Sequence, residues 1–434
     1  MMNVATVMLW GTTIGAVSWD ENRGYSSFEY QPNFITSGVQ VAPLVMPLSS
    51  AIYSFPVLSR ETFQGLPGML ADALPDRFGN AVINAWLAQN GRPANSMDPV
   101  EKLCYIGARG MGALEFVPAK GPQAKKTSAI AVDELVNLAS EIMTKREAFK
   151  VSINDKQKEM ALREILQIGT SAGGARPKAI IAWNRTTNEV RSGQVIAGPG
   201  FSYWLLKFDG VSGNRDNGFT LPLGYGLVEY AYYKMALSAG VEMHECRILE
   251  ENGRHHFMAK RFDRTSAGDK IHMQSLGAMA HFDYNQPDIY SYEQAFQVLR
   301  QLELPKSATE QLFRRMAFNI IARNQDDHVK NIAFLMNRAG HWSLSPAFDM
   351  TYAYDPANKW LGKHQMSLNG KRANFVLEDF EDCAKTISLK RGLAKSIVAE
   401  VQQAVRNWSQ IAEEAGVPVD RIKSIEATHR QIVA

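Results

Sequence analysis

"RNQDDHVKNIAF", residues Arg323–Phe334, is the stretch of this sequence that says most about the fold. It concentrates two carboxylates, an imidazole, a lysine and an amide within a few residues. The segment before it, "SATEQLFRRMAFNIIARNQ", has apolar residues at helical spacing and therefore predicts an amphipathic helix. Ser307 and Glu310 have the spacing of a capping box, so we expect the helix to begin at this serine. The polar cluster thus follows a predicted helix, where a catalytic loop and a solvated turn would both fit.

The polar cluster has the spacing of a protein-kinase catalytic loop. Asp326 and Asn331 stand five residues apart, like the kinase aspartate that accepts the hydroxyl proton and the asparagine that binds Mg²⁺. A second metal-binding aspartate is then expected beyond a short strand pair, and Asp349 follows 23 residues after Asp326. Asp349 lies beside Phe348, although Met350 stands where a kinase usually has glycine.

Upstream features complete this pattern in the order that a kinase requires. "SAGGARPK", Ser171–Lys178, is glycine-rich and leads into a predicted strand, as a phosphate-binding loop would. Lys207 lies near the end of a second predicted strand, and Glu229 lies on the helix that follows and would steady this lysine. "MAKRFDR", Met258–Arg264, is the predicted strand leading to the hinge under the adenine. Each feature is weak alone, but their order favours a kinase-like active site.

Other interpretations of these residues stay open. The carboxylates and imidazole of "NQDDH" also suit a metal-dependent phosphoesterase, because these groups bind Mn²⁺ or Mg²⁺. Asp327 and His328 fit a solvated loop, and the upstream lysine and glutamate fit an ordinary surface pair. We expect His364 and His429 to be structural or exposed.

Composition narrows the class of protein. The chain has 434 residues, of which 45% are apolar and 21% charged, as in a globular protein of two or three lobes. A net charge of +3 is too small to indicate nucleic-acid binding by the chain as a whole. Cys104, Cys246 and Cys383 lie far apart, which excludes a disulfide scaffold or a cysteine-based zinc site. With no basic residue before Arg23 and no apolar run of about 18 residues, we expect an N-terminal β-hairpin and a cytoplasmic protein.

The sequence divides into three predicted parts, at residues 1–125, 126–265 and 266–434. The segment "GPQAKKTS" is the predicted linker between the first two, because it is small, polar and without periodicity. The first predicted strands lie near residues 4–10, 14–19 and 26–30. Further strands are predicted at the end of "YIGARGMGALEFVP", in the apolar run that ends at Trp183, in "SYWLLKFDG", on either side of the Asn-Gly turn in "CRILEENGRHHFMAKRFDRT", and in "KNIAFLM" and "GHWSLSPAF". The predicted helices lie on either side of Pro75, at residues 133–149, 226–240 and 307–325, and throughout the last fifth of the chain.

Four segments resemble those of the HipA family of bacterial toxin serine/threonine kinases: "SAGGARPK", "RNQDDHVKN", "PAFDM" and "QMSLNGK". The resemblance extends to "ADALPDRFGN" and "YIGARGMGALEFVP" near the N-terminus, so it spans almost the whole chain. The glycine-rich loop together with "DDHVKN" makes it specific. It implies an α+β, two-lobed protein-kinase-like fold with a small β-rich N-terminal subdomain and a mostly helical C-lobe.

The resemblance also implies roles for individual residues. Asp326 would be the catalytic aspartate, and Asn331 and Asp349 would hold Mg²⁺. The residues implied to bind ATP are Gly173, Gly174, Ala175, Arg176, Pro177, Lys178, Lys207, Lys260, Arg261, Phe262, His328, Val329, Lys330, Asn331, Phe348 and Asp349.

Ser171 matches the serine that members of the family autophosphorylate. Phosphorylation adds about −1.5 to −2 charge, so we expect repulsion to move the loop away from the ATP phosphates and to lower activity. Two residues depart from the family pattern. Lys260 stands where a glutamate is common, and Arg176 replaces a common glutamine and could add charge beside the phosphates.

The resemblance implies a cellular role and partners. The kinase would use ATP and Mg²⁺ to phosphorylate a translation component. The target implied is an aminoacyl-tRNA synthetase, with the glutamyl enzyme first to test. Growth arrest and persistence would follow. A small, dimeric, HipB-like DNA-binding antitoxin would form a heterotetramer with the kinase and supply most contacts to operator DNA, so that the complex corepresses its operon. No membrane partner is expected. The rival from another class is a catalytically weak kinase-fold corepressor, a binding module.

Overall fold

The computed structural model describes residues 3–121, 130–144, 176–194, 196–211, 215–216, 219–220 and 223–433. Most of the predicted linker, the end of the predicted helix at residues 145–149, and Ser171, Gly173, Gly174 and Ala175 lie outside these residues. Within the described ranges, no helix has both the length and the apolar character that a bilayer crossing requires.

The N-terminal part is built on a five-stranded antiparallel sheet in the order β4-β3-β2-β1-β5. Its strands are β1 (Asn3–Leu9), β2 (Thr12–Asp20), β3 (Tyr25–Tyr30), β4 (Ile52–Tyr53) and β5 (Leu114–Val117). Its helices are α1 (Pro32–Ile35), α2 (Arg60–Phe63), α3 (Gly68–Ala71), α4 (Arg77–Gln89) and α5 (Pro99–Ile106). Burial alternates along β1, so one face of the sheet packs into a core with apolar side chains from these helices. The predicted β meander and the helices on either side of Pro75 are confirmed.

A second five-stranded antiparallel sheet has the order β11-β12-β8-β6-β7. Its strands are β6 (Lys178–Asn184), β7 (Glu189–Ser192), β8 (Phe201–Lys207), β11 (Cys246–Glu251) and β12 (Arg254–Lys260). Helix α6 (Val132–Thr144) shares a core with this sheet and with α4, while α7 (Tyr225–Ser238) follows the short strands β9 (Arg215–Asp216) and β10 (Phe219–Thr220). The predicted Asn252–Gly253 turn joins β11 to β12, with both residues at positive φ, as a tight hairpin requires.

The C-terminal part is mostly helical. Its helices are α8 (Leu276–Ala280), α9 (Tyr292–Gln301), α10 (Lys306–Ile321), α11 (Leu377–Thr386), α12 (Leu393–Arg406), α13 (Trp408–Glu414) and α14 (Val419–Glu426). A three-stranded sheet of β13 (His272–Ser275), β14 (Ala333–Met336) and β15 (Trp342–Leu344) lies beside them. Helix α10 is central, because its apolar side chains are fully buried in the largest core cluster, which also contains α7 and α12. The two loops of interest leave the C-terminal end of α10 and the end of β15.

The predicted capping box at Ser307 is wrong. Helix α10 begins at Lys306, with Pro305 as its N-cap, so Ser307 already lies inside the first turn. Proline has no N–H to leave unpaired and its fixed φ suits a helix start, so the helix begins directly after it. A capping box does occur one helix earlier, where the Ser291 hydroxyl accepts from the Gln294 N–H and the Gln294 side chain accepts from the Ser291 N–H.

The N-terminal part contacts the rest of the chain through backbone N–H groups. The Gly68 N–H donates to His281 Nε2 at 2.9 Å, and the Gly112 N–H donates to Asp263 at 2.8 Å. A Cβ atom on Gly68 would lie 2.4 Å from the Ala278 carbonyl oxygen, so this contact needs glycine. The arrangement of a β-rich subdomain, a second sheet and a helical lobe confirms the predicted two-lobed α+β architecture.

Candidate active site

A cavity of about 590 Å³ opens between the second sheet and the helical lobe. Its walls include residues from all three parts of the chain. The predicted site residues that line it are Arg176, Lys178, Lys207, Lys260, Arg261, Phe262, Asp326, His328, Lys330, Asn331, Phe348 and Asp349. Pro177 and Val329 are buried beside the lining, and Glu229 lies behind it in contact with Lys207. Folding therefore brings the described part of the predicted constellation to one cavity.

A buried ion cluster forms one wall of this cavity. Lys207, the last residue of β8, donates to Glu229 on α7 and to Asp349 Oδ1, the latter at 2.6 Å. Glu229 is 1% exposed and also accepts from Arg176 Nη1 at 2.6 Å. The alternative of a surface lysine–glutamate pair is therefore wrong. Arg176 was expected to add positive charge beside the phosphates. Its charge is instead paired with Glu229, and its guanidinium lies over the Tyr225 ring.

The ion cluster keeps Lys207 and Asp349 charged. Burial would lower the pKa of Lys207, but Asp349 and Glu229 raise it above its ordinary value. Burial would likewise raise the pKa of Asp349, but the nearby ammonium groups of Lys207 and Lys178 hold it at about 2. Lys207 and Asp349 are thus both ionised at neutral pH. Asp349 also has a φ of 53°, a left-handed conformation that non-glycine residues adopt only when their surroundings impose it.

Asn331 and Asp349 offer oxygen atoms that fit a magnesium ion. The Asn331 side-chain NH₂ donates to the Asp326 backbone carbonyl at 2.9 Å. The amide oxygen of Asn331 therefore faces away from that carbonyl. An amide oxygen and an ionised carboxylate suit Mg²⁺, which usually takes one or two protein oxygens together with phosphate oxygens and water. Among the described side chains, no group of three or more histidines, cysteines and acids is arranged to hold a metal ion.

The Asp326 carboxylate is held by a residue that sequence reasoning missed. Gln365 Nε2 donates to Asp326 Oδ1 at 2.8 Å, and His328 Nε2 lies 3.9 Å from the same oxygen. Gln365 belongs to the segment "QMSLNGK", 39 residues along the chain. This segment contributed to the family resemblance, but no pattern in its sequence indicated that Gln365 contacts Asp326.

Asp327 is buried, so its interpretation as part of a solvated loop is wrong. Its carboxylate accepts from the Tyr292 hydroxyl at 2.7 Å, from His364 Nδ1 at 2.7 Å and from the Gln365 N–H at 2.8 Å. Burial would raise the pKa of Asp327, but His364 and these hydrogen bonds lower it below its ordinary value. His364 is fully buried, which confirms the structural role expected for it and excludes an exposed one. Asp327 therefore anchors the loop that carries Asp326.

The N-terminal part contributes a second residue that sequence reasoning missed. Asp76 caps α4, accepting from the Gly79 N–H at 2.7 Å, and its other carboxylate oxygen lies 3.5 Å from Lys178 Nζ. Burial raises the pKa of Asp76, and Lys178 opposes that effect. "LPDRFGN" does signal a helix cap, yet it gives no sign that the same acid reaches a lysine about a hundred residues away.

Hydrogen bonds to a buried aspartate hold the predicted hinge after β12 in place. Arg261 makes two hydrogen bonds to the fully buried Asp263, at 2.8 and 2.6 Å, and Asp263 also accepts from the Gly112 N–H. Phe262 faces Phe348 with ring centroids 5.6 Å apart. The Lys260 ammonium is partly exposed and lies 4.0 Å from Glu245. The hinge thus offers an apolar ring and a fixed backbone, the surfaces that a flat base would need.

Comparisons with known proteins cover most of the chain. Residues 170–408 match the family described as HipA-like C-terminal domain, and residues 5–117 match the HipA N-terminal domain. A solved structure of the Shewanella oneidensis toxin–antitoxin system HipA, HipB and operator DNA contains a chain that superposes with a TM-score of 0.66 at 17% identity. That match covers 98% of this chain and 94% of the Shewanella chain, and it confirms the predicted two-lobed, kinase-like fold.

A second comparison, with a curated protein, covers only part of the chain. A Haemophilus influenzae protein provisionally described as a kinase is 23% identical over 205 residues. The alignment covers 41% of this chain and 59% of the Haemophilus protein, so the chain spans little more than half the length of that relative.

Proposed function

The chain belongs to the HipA family, and on this premise we propose that it is an ATP- and Mg²⁺-dependent protein serine/threonine kinase. The observation that carries the proposal is the convergence of Lys207, Asp326, Asn331 and Asp349 on one cavity. These side chains supply what phosphoryl transfer needs: a cation for the phosphates, oxygens for the metal ion and a carboxylate for the hydroxyl.

The proposed step is an in-line displacement at the γ-phosphorus. The serine or threonine hydroxyl oxygen forms a bond to phosphorus, the bond to the β,γ-bridging oxygen breaks, and ADP leaves. Asp326 accepts the hydroxyl proton, while Lys207 and Lys178 stabilise the phosphate charge. Mg²⁺ held by Asn331 and Asp349 would neutralise charge on the β- and γ-phosphate oxygens.

The cellular role belongs to the same proposal. The kinase would be the toxin of a toxin–antitoxin pair, phosphorylating an aminoacyl-tRNA synthetase in the cytoplasm and arresting growth. A HipB-like antitoxin would bind it and operator DNA, as the Shewanella complex does for its own components. Autophosphorylation of Ser171 would switch the kinase off. The division into parts at residues 1–125, 126–265 and 266–434 is also proposed.

Transfer of label from γ-labelled ATP tests the kinase directly. Purified protein is incubated with Mg²⁺-ATP, with and without casein as a generic acceptor, and label on each protein is measured together with ATP affinity. We expect Asp326→Asn to lower transfer about 100-fold or more while ATP still binds, because it removes the proton acceptor and leaves the cations. Lys207→Met is expected to weaken ATP binding about tenfold or more.

Lys423→Met is the matched control, because this lysine is exposed on α14, outside the cavity. Its transfer rate should equal that of the wild type. Release of free phosphate without labelled protein would favour a phosphoesterase. ATP binding with no transfer, together with antitoxin and operator binding that Asp326→Asn leaves intact, would favour the corepressor. Either result contradicts the kinase.

A further inference from the structure

Two pairs of adjacent residues lie side by side, and one member of each pair, Asp326 and Gln365, lines the cavity. Asp326 and Asp327 follow α10, while His364 and Gln365 come from the loop before α11. Asp327 Oδ2 accepts from His364 Nδ1 at 2.7 Å, and Asp326 Oδ1 accepts from Gln365 Nε2 at 2.8 Å. Each aspartate of the loop thus has its own partner on the facing segment.

The contact between Asp327 and His364 fixes the position of the Gln365 backbone. Besides the His364 ring, Asp327 accepts from the Gln365 backbone N–H at 2.8 Å. On the far side, Arg430 Nη1 lies 2.6 Å from His364 Nε2. Because a guanidinium can only donate, Nε2 must accept, and the ring proton is therefore on Nδ1, facing Asp327. The backbone of Gln365 is held by this chain of contacts, whatever its own side chain does.

The stability of the fold does not explain why residue 365 is a glutamine. Gln365 is 4% exposed, and its Oε1 is buried with no hydrogen-bond donor among the described residues. An unpaired buried amide oxygen destabilises a fold, and an apolar side chain of similar shape avoids that cost. The retained polar contact is the one from Nε2 to Asp326. The side chain is therefore explained by what it does to that carboxylate.

We propose that Gln365 is a positioning residue for phosphoryl transfer, an inference that rests on the proposed kinase function. A carboxylate can rotate about its Cβ–Cγ bond, and a donor fixed on one oxygen removes that freedom. Gln365 thus keeps Asp326 in one orientation when the acceptor hydroxyl arrives, which is worth most in the transition state. Its contribution is expected in kcat and not in ATP affinity, because the cations that bind the phosphates lie on another wall.

Gln365→Met tests this proposal, because methionine keeps the length of the side chain and removes the donor. We expect kcat for transfer to casein to fall about 10- to 100-fold, as for loss of a hydrogen bond to a charged group. The KM for ATP should stay within about twofold, and the thermal midpoint should be unchanged or higher, since the unpaired amide oxygen is gone. Gln365→Glu, with an acceptor in place of the donor, should lower kcat further through repulsion from Asp326.

Gln274→Met is the matched control. Gln274 is also buried and donates to the Val41 carbonyl at 2.6 Å, but it does not line the cavity. Its kcat should be that of the wild type, even if the protein loses stability. A wild-type kcat in Gln365→Met, or a fall matched by Gln274→Met or explained by unfolding, would overturn the proposal. If Asp326→Asn is inactive in the same assay, the kinase function survives that failure; if the wild type transfers no label, both fall.

Discussion

His281 makes the docking of the N-terminal part on the helical lobe sensitive to pH. It follows α8, and its Nε2 accepts the Gly68 N–H at 2.9 Å. Its ring also meets the edges or faces of Phe55 and Phe63, with centroids 4.5 and 5.7 Å away. Burial in these surroundings lowers the pKa of His281 to about 4. Protonation would place a second donor against the Gly68 N–H.

The sign and size of the effect follow from linkage. An unfolded histidine has a pKa of about 6.5, so the unfolded chain binds the proton more readily than the folded protein. The stabilisation is complete above pH 6.5 and is lost as the pH falls towards 4. Over that whole range the difference corresponds to about 3 kcal/mol, of which about 2 kcal/mol is lost by pH 5.

Urea unfolding of the wild type and of His281→Gln at pH 7.5 and pH 5 measures this loss. Glutamine offers an oxygen to the Gly68 N–H but does not titrate in this range. We expect the wild type to lose about 2 kcal/mol more than the variant between the two pH values. Burial also lowers the pKa of His272 to about 3 and of His429 to about 4, but both histidines are present in each protein and cancel in the difference. His341→Gln, at an exposed histidine, is the control and should behave like the wild type. Equal pH dependence in the wild type and His281→Gln would refute the reasoning.

Three further substitutions are predicted to act through contacts described above. Gly68→Ala should lower the free energy of unfolding by about 1–3 kcal/mol, because its Cβ meets a carbonyl oxygen of α8. Gly110→Ala should be tolerated, and the urea unfolding midpoints of the two variants measure the difference. Glu229→Gln should cost about 3 kcal/mol in the same assay, since it leaves two buried cations short of a carboxylate, and a loss below about 1 kcal/mol would contradict the ion cluster. Asp76→Ala should be about 1 kcal/mol less stable than Asp76→Asn, because only asparagine can still cap α4; equal stabilities would count against the cap.

Local patterns predicted the elements and the order of the site residues. The Asn252–Gly253 hairpin, the β meander and α7 each depend on a signal carried by a few neighbouring residues. Lys207 and Glu229 could be paired because their order along the chain matched a known arrangement. The fold class could therefore be predicted before any contact was known.

Contacts between distant segments could not be predicted. Gln365 and Asp76 reach the cavity from loops whose own sequences indicate only a turn or a helix cap. The burial of Asp327 depends on Tyr292, which lies on a different helix. The misplaced start of α10 has a local cause: Pro305 outweighs the serine–glutamate spacing that follows it.

The most direct test of the central claim is the intact mass of the purified protein before and after incubation with Mg²⁺-ATP, alongside Asp326→Gln. The account predicts that the wild type gains phosphoryl groups, with peptide mapping placing one on Ser171, and that the variant gains none. Phosphate already present on the wild type at purification, and missing from Asp326→Gln, would equally support it. No phosphate on either protein, or equal phosphate on both, would contradict phosphoryl transfer by this site.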